Sequence, residues 1–210
     1  MTIAIGMLCK GGLILAADTQ LTWQDGRTDY GPKVFDLVTE TASFVIAISA
    51  NDIEAAATFI SEVKRALQKS IRSIPAVENS IKEMMKKWNS SFTFRKDRTD
   101  VSFLLGARIK EPISKEEDAI GLFLCELPYT VSRKTAENAK GYISTGCGRP
   151  ASDSLFNVLF GTPVTPHTCL CQISYLMYRA KKDFSAGCGG DTDAVFLRAE
   201  DGKPLWIERR

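Results

Sequence analysis

The chain has 210 residues, of which 44% are hydrophobic and 25% are charged, and its formal net charge at pH 7 is +2. These values are typical of a globular protein, and the length predicts a single domain over residues 1–210 with a full hydrophobic core. The small net charge argues against nucleic-acid binding, and the excess of Lys and Arg over residues 61–100 fits a solvated helix face better.

No apolar run approaches the roughly 20 residues that a bilayer crossing needs, and the first residues do not resemble a cleavable leader. The six cysteines are scattered, several of them inside apolar runs such as GLFLCEL. This pattern favours free thiols in a reducing compartment over a disulfide framework. The motif HTCLC lacks the paired spacing of common zinc sites. We therefore expect a cytoplasmic protein with no metal, no other cofactor and no membrane association.

The first half of the chain alternates in the way that strands do and then changes period. TIAIGMLCKGGLILAADTQLT predicts two strands joined at Lys10-Gly11-Gly12, and KVFDLVTETASFVIAIS predicts two more around a polar turn at residues 39–41. From Asn51 onwards apolar residues recur every three or four positions, which predicts a helix with Asn51 and Glu54 as a capping box. Pro75 then begins a second predicted helix.

The second half repeats this order. DVSFLLGARI, AIGLFLCEL and GYISTGC predict strands, and SDSLFNVLF predicts a short helix. Thr165-Pro166 predicts the start of another helix, which runs to about Lys182. DTDAVFLRAEDGKPLWIE predicts a closing hairpin around Asp201-Gly202. Two stacked sheets with helices on both outer faces would bury every apolar pattern, so we expect an α+β fold built as a four-layer α-β-β-α sandwich.

Histidine, the most frequent general base, occurs only once in this sequence. Its single histidine, His167, follows Pro166 at a predicted helix start, and the motifs GxSxG, GxxxxGK and HExxH are absent. An N-terminal threonine needs no histidine, because its own α-amino group, with an ordinary pKa of about 7.7–8.0, serves as the base. Removal of Met1 would expose Thr2 at the start of the first strand. The sequence therefore predicts Thr2 as a nucleophile.

TIAIG and KGGLILAADT, followed by GPKVFDL, resemble the start of a proteasome β-type subunit, and FVIAISANDIEAA, YISTGCG and CGGDTDAVFL extend the resemblance. That family belongs to the N-terminal-nucleophile hydrolases and includes bacterial proteasome-like peptidases. The resemblance implies the same four-layer sandwich and a threonine-type endopeptidase acting on peptides or unfolded proteins. It also implies self-association into a ring or helical homo-oligomer, and it leaves open an ATPase or other regulatory partner.

The resemblance assigns roles to individual residues. Thr2 corresponds to the nucleophile, Asp18 to a buried carboxylate and Lys33 to an active-site lysine. An ammonium close to the Thr2 amine would lower the pKa of that amine, and a carboxylate would keep the lysine charged and oriented. The backbone N–H of Ala50 corresponds to the oxyanion donor, where the family usually has glycine. Thr145 corresponds to a supporting serine of the family.

The sequence departs from the family pattern at several supporting positions. Cys188 stands where the family has a serine. The family has an aspartate three residues before that serine, and this position falls on Ser185 here. Asp183 is the nearest carboxylate, so either Asp183 or Ser185 could take the supporting role. The interval from Asp18 to Lys33 is also one residue shorter than in most β-type subunits.

Two other functions remain open from the sequence. A non-catalytic structural subunit of the same fold would retain Met1, because an acylated amine cannot act as the base. An N-terminal-nucleophile amidase would act on small amides in an open site, and a monomer or dimer would favour it over the chambered peptidase.

Overall fold

The computed structural model describes residues 2–22, 28–50, 53–92, 101–112, 119–126, 130–134, 141–159 and 165–207. The strands are β1 (Ile3–Cys9), β2 (Gly12–Asp18), β3 (Gln20–Thr22), β4 (Thr28–Tyr30), β5 (Val34–Val38), β6 (Ala42–Ala50), β7 (Val101–Ile109), β8 (Ile120–Glu126), β9 (Thr130–Lys134), β10 (Tyr142–Gly146), β11 (Thr192–Arg198) and β12 (Pro204–Trp206). The helices are α1 (Ile53–Leu67), α2 (Ile74–Phe92), α3 (Arg149–Leu159) and α4 (Pro166–Asp183).

Two five-stranded antiparallel sheets form the centre of the fold. Sheet I has the strand order β10-β1-β2-β11-β12, and sheet II has the order β5-β6-β7-β8-β9. Strands β3 and β4 form a separate two-stranded ribbon. The apolar cluster between the two sheets includes Ala4 and Leu15 from sheet I and Val45 and Leu104 from sheet II. The sheets therefore stack face to face.

Helices cover the outer face of each sheet. On sheet I, Ile3, Ile5 and Met7 of β1 cluster with Ile173 and Leu176 of α4. These three β1 residues alternate with Ala4, which faces sheet II, so both faces of β1 are buried and its sequence is apolar at nearly every position.

Sheet II is covered by α1 and α2. Phe59 of α1 lies 5.0 Å from Trp88 of α2 and 5.4 Å from Phe103 of β7, between ring centroids, and both pairs are edge-to-face. Each large side chain buried in this way contributes about 1.5–3 kcal/mol relative to an exposed one. The order of layers is therefore α-β-β-α, and the predicted sandwich is confirmed.

Most predicted elements are confirmed, with small differences at boundaries. Thr165 caps α4, accepting a hydrogen bond from the Thr168 N–H, and the closing hairpin turns at residues 199–203. Helix α3 begins at Arg149, three residues before the predicted start. Asn51, the predicted cap of α1, lies outside the described residues, and the single domain over residues 1–210 stays a prediction.

Two parts of the fold were not predicted. Strand β9 is short, carries Ser, Arg and Lys, and lies at the edge of sheet II, where polar residues are favoured. Strands β3 and β4 have three residues each, which is too short for a periodic pattern. Within the described part of the chain, no helix has the length and apolar character needed to span a membrane.

Candidate active site

The start of β1 and the end of β2 lie next to each other because these strands pair antiparallel, with Ala4 opposite Ala17. Thr2 directly precedes β1, and only 2% of its surface is exposed. Asp18 ends β2 and is completely buried. The Ile3 N–H donates to Asp18 Oδ1 over 3.0 Å. The hairpin at Gly11-Gly12 therefore places the Asp18 carboxylate beside Thr2. Asp18 and its hydrogen-bond partner Ile3 are fifteen positions apart in the sequence.

Three donors surround the Asp18 carboxylate. Besides Ile3, Lys33 Nζ donates to Oδ1 over 3.0 Å, and the Gly189 N–H donates to Oδ2 over 3.0 Å. A buried carboxylate is tolerated when hydrogen bonds and a counter-charge replace its water. Asp18 therefore ties together the start of β1, the segment before β5 and the loop before β11.

Lys33 is the cation of this site and is 4% exposed. Its carbonyl accepts a hydrogen bond from the Ile48 N–H over 3.0 Å, which fixes the residue against β6. Burial lowers the pKa of Lys33, and the Asp18 carboxylate opposes this shift. The ammonium consequently has less hydration than a surface lysine and acts more strongly on groups near it.

Gly146 brings β10 into close contact with Thr2. It pairs with Ile3, its φ is +94°, and a Cβ at this position would lie 2.0 Å from the Thr2 carbonyl oxygen and 3.1 Å from Ser49 Oγ. Only glycine fits such an approach, because a side chain would overlap the Thr2 backbone. The ends of β10 and β6 therefore converge on Thr2.

Thr145 and Ala50 lie at the same end of the fold. Thr145 is 1% exposed, and its Oγ1 lies 2.6 Å from Ser102 Oγ of β7, so this hydroxyl links sheet I to sheet II. Ala50 ends β6, is half-buried and pairs with Val101.

Two cysteines stand beside Thr2, and the sequence indicated only one of them. Cys188 Sγ lies 3.0 Å from Cys147 Sγ, and the Cys147 thiol donates to the Thr2 carbonyl oxygen over 3.4 Å. Cys147 was missed because its contact with Cys188 spans 41 positions and leaves no local signature. The only signal was its place directly after Gly146.

The loop that carries Cys188 and Gly189 is held by Lys181 of α4. Lys181 Nζ donates to the Gly190 carbonyl, the Asp191 carbonyl and Thr192 Oγ1, over 2.8, 2.9 and 2.7 Å. Sequence reasoning did not single out this lysine, which occupies an ordinary position in the last turn of a helix.

Asp183 and Ser185 lie away from these groups. Asp183 ends α4, and its Oδ2 is 3.3 Å from an Arg179 guanidinium nitrogen, with both side chains 36% exposed. Ser185 is exposed in the turn that follows. Within the described residues, neither forms a hydrogen bond with Thr2, Asp18 or Lys33.

No group of three or more His, Cys, Asp or Glu side chains in the described ranges could hold a metal ion.

Comparison with solved structures identifies the architecture. A Gly-1 mutant of Anbu from Hyphomicrobium sp. strain MC1 superposes with a TM-score of 0.79 and 13% identity, covering 98% of this chain and 85% of that one. Anbu from Yersinia bercovieri, described as an ancestral β-subunit, gives 0.77 and 13%, covering 98% and 86%. The chain has the Anbu fold. Subunits from the helical assembly of the Anbu complex of Pseudomonas aeruginosa give 0.72 and 12%, covering 98% and 86%.

At 12–13% identity, the similarity concerns the fold alone. No protein-family model matches the chain, and no curated protein matches it.

Proposed function

We propose that this chain is a proteasome-like N-terminal threonine peptidase in which Thr2 is the nucleophile after removal of Met1. The observation that carries the proposal is the buried ion pair of Asp18 and Lys33 directly beside Thr2, with a distance of 3.0 Å between Lys33 Nζ and Asp18 Oδ1. A buried charge pair is costly to maintain, and groups whose pKa burial shifts are concentrated at functional sites.

The free amine of Thr2 is the general base of the proposed reaction. It accepts the hydroxyl proton as Thr2 Oγ1 attacks the substrate carbonyl, and the proton then passes to the leaving amine as the peptide bond breaks. Water, activated by the same amine, hydrolyses the resulting ester and restores Thr2. The chemistry requires no metal or other cofactor.

Lys33 tunes that base. A positive charge favours the neutral form of a neighbouring amine, so the Lys33 ammonium lowers the pKa of the Thr2 amine below its ordinary value of about 7.7–8.0. Asp18 holds Lys33 in position and compensates its charge. The carboxylate also bonds the Ile3 N–H, so one side chain positions both the cation and the strand that begins with the nucleophile.

The remaining predicted residues would assist. The Ala50 N–H would stabilise the oxyanion. Ala50 is the last residue of β6, and the side chain of the preceding residue, Ser49, lies close to Gly146 where Gly146 approaches Thr2. Cys188 and Thr145 support the walls of the site. Asp183 and Ser185 stay weaker candidates for support, because both are exposed.

Self-association is part of the proposal. The Anbu protein from Pseudomonas aeruginosa forms a helical assembly, and we propose a ring or helical homo-oligomer for this chain as well. Such an assembly would enclose the sites and restrict them to peptides or unfolded proteins. An ATPase or regulatory partner stays a prediction, as does the cytoplasmic location.

The test is hydrolysis of unfolded casein and fluorogenic peptides by the chain produced with Thr2 as its first residue. Thr2→Ala is expected to reduce the rate by at least about 10³-fold, as expected for loss of a nucleophile. Thr130→Ala, at an exposed position of β9, is the matched control and should leave the rate unchanged. Full activity of the Thr2→Ala protein would overturn the proposal.

A further inference from the structure

We infer that Cys147 and Cys188 form a peroxide-oxidised dithiol site, whose disulfide slows the reaction of Thr2. The two sulfurs lie 3.0 Å apart, and both cysteines are free thiols. A disulfide needs about 2.05 Å between the sulfurs, so closure requires an approach of about 1 Å. The effect on Thr2 rests on the proposed function, whereas formation of the disulfide does not.

The environments of the two thiols give them different roles. Cys147 is half-buried, whereas Cys188 is 1% exposed, so an oxidant reaches Cys147 first. The hydrogen bond with the Cys188 thiol lowers the pKa of Cys147 to about 6, and burial opposes this shift. The same contact raises the pKa of Cys188. Cys147 is therefore the thiolate that reacts, and Cys188 is the thiol that resolves the product.

The reaction balances with hydrogen peroxide as the oxidant. The Cys147 thiolate attacks one peroxide oxygen, the O–O bond breaks, and the released hydroxide takes up a proton to become water. This leaves a sulfenic acid on Cys147. The Cys188 sulfur then attacks the Cys147 sulfur and expels the sulfenic hydroxyl as a second water, which takes up the Cys188 proton. The two sulfurs lose two electrons in total, and the peroxide gains them.

The position of the pair connects its redox state to the site. In its protonated form the Cys147 thiol donates to the Thr2 carbonyl oxygen over 3.4 Å. The thiolate that reacts and the disulfide that forms both lack this proton, so the bond is lost along the path of oxidation and cannot form again until the disulfide is reduced. On the other side, Cys188 precedes Gly189, whose N–H binds Asp18 Oδ2. Closing the sulfur gap therefore moves groups bonded to Thr2 and to Asp18, and it slows attack by Thr2.

The other cysteines provide internal comparisons. Cys9 and Cys169 form a second thiol contact away from Thr2, in which Cys169 is fully buried. Cys171 is exposed on α4. If peroxide oxidised cysteines according to exposure alone, Cys171 would be modified first. The inferred site instead predicts that the first product is the disulfide between Cys147 and Cys188.

The first experiment measures the disulfide directly. The folded protein is treated with hydrogen peroxide, its remaining thiols are alkylated under denaturing conditions, and intact mass is recorded. Compared with untreated protein alkylated in the same way, the oxidised protein should carry two alkyl groups fewer and lack two further hydrogens, about 2 Da, because one disulfide has formed. Trypsin followed by chymotrypsin cuts after Phe156 and so separates Cys147 from Cys169. The expected product is a cross-linked pair of peptides that contain Cys147 and Cys188.

Variants assign the two roles. In Cys188→Ser, peroxide should leave a sulfenic acid on Cys147 that dimedone traps, and in Cys147→Ser neither product should form at this site. Cys171→Ser is the matched control and should cross-link like the wild type. Oxidation confined to Cys171, or to Cys9 and Cys169, would overturn the inference.

The second experiment measures the consequence for Thr2. Labelling of Thr2 by a β-lactone should be at least about 10-fold slower after peroxide treatment and should recover with dithiothreitol, consistent with a displacement near 1 Å. Equal labelling rates before and after cross-linking would overturn the regulatory part. Absence of labelling even in the reduced protein would instead refute the proposed function. The mass measurement would still show whether Cys147 and Cys188 form a disulfide.

Discussion

Lys33 and Asp18 each place a full charge where almost no solvent reaches them. If one partner of such a pair is removed, the other remains buried, which typically costs about 3–5 kcal/mol. We therefore expect Asp18→Asn to lower the free energy of unfolding by about this amount, measured by urea denaturation. The Asp183–Arg179 pair is the control, because both side chains are 36% exposed. Asp183→Asn should cost less than about 1 kcal/mol, and equal losses would contradict this account.

The lowered pKa of Lys33 also predicts how stability changes with pH. The unfolded lysine binds its proton near the ordinary pKa of 10.5, whereas the folded lysine binds it only at lower pH. As pH falls from about 10.5 towards the folded pKa, the unfolded state therefore binds more protons than the folded state. The Lys33 contribution to the free energy of unfolding should decrease over this window and be constant below it.

This pH dependence is measured as the difference between the wild type and Lys33→Met, from urea denaturation at several pH values between 8 and 11. Subtracting the variant removes the titration of groups far from Lys33, whose pKa values are the same in both proteins. Parallel curves over the whole range would contradict the lowered pKa of Lys33.

The sequence indicated Thr2, Asp18 and Lys33 because their spacing and strand setting resemble a known family. The structure pairs Asp18 with Lys33 and joins Asp18 by a hydrogen bond to Ile3, the residue after Thr2. Cys147 and Lys181 could not be found in this way, because their roles depend on contacts made only in the folded chain. Cys147 contacts Cys188, 41 positions away, and Lys181 holds the loop at residues 190–192. Asp183 was considered because of its distance from Cys188 in sequence, but α4 ends at Asp183 and leaves the side chain beside Arg179.

Gly146, the last residue of β10, and Gly11, in the turn between β1 and β2, give a sharp comparison. Gly146 and Gly11 both have positive φ, +94° and +85°, so alanine at either position carries a backbone cost of about 1–3 kcal/mol. A Cβ at Gly146 would also lie 2.0 Å from the Thr2 carbonyl oxygen, whereas a Cβ at Gly11 would meet nothing within 4 Å.

Gly146→Ala should therefore destabilise the protein more than Gly11→Ala in urea denaturation. It should also abolish β-lactone labelling of Thr2, because the start of β1 must move. Gly11→Ala should retain labelling. If the two variants had the same stability and the same labelling, β10 would not approach Thr2 as the structure indicates.

Prediction of helices and strands succeeded where local signals were strong. Gly11-Gly12 and Asp201-Gly202 mark hairpins, Thr165-Pro166 marks a helix start, and the buried faces of α1 and α2 repeat every three or four residues. Strand β9 was missed because edge strands tolerate polar residues, so its pattern does not differ from that of a loop.

The layered architecture of the whole molecule was predictable because apolar residues occupy both faces of the central strands. A strand buried on one face only would alternate with polar residues, whereas β1, β2 and β6 are buried at almost every position. Assembly, in contrast, depends on surface complementarity between copies and leaves no comparable pattern in one sequence.

For assembly, we expect analytical ultracentrifugation to find a large homo-oligomer at micromolar concentration, because a chambered peptidase needs many copies to enclose its sites. The same sample should cleave unfolded casein. A monomer or dimer that hydrolyses small amides but not casein would contradict the chambered peptidase and support the amidase.

The intact mass of the protein purified from its native host, before and after treatment with a β-lactone, distinguishes a threonine peptidase from a non-catalytic subunit. A lactone adds its whole mass when the hydroxyl of an N-terminal threonine opens the ring. We predict a mass that lacks Met1 and a single adduct that is absent from Thr2→Ala. A protein that retains Met1 and gains no adduct would contradict the claim and leave a non-catalytic subunit with the fold of a peptidase.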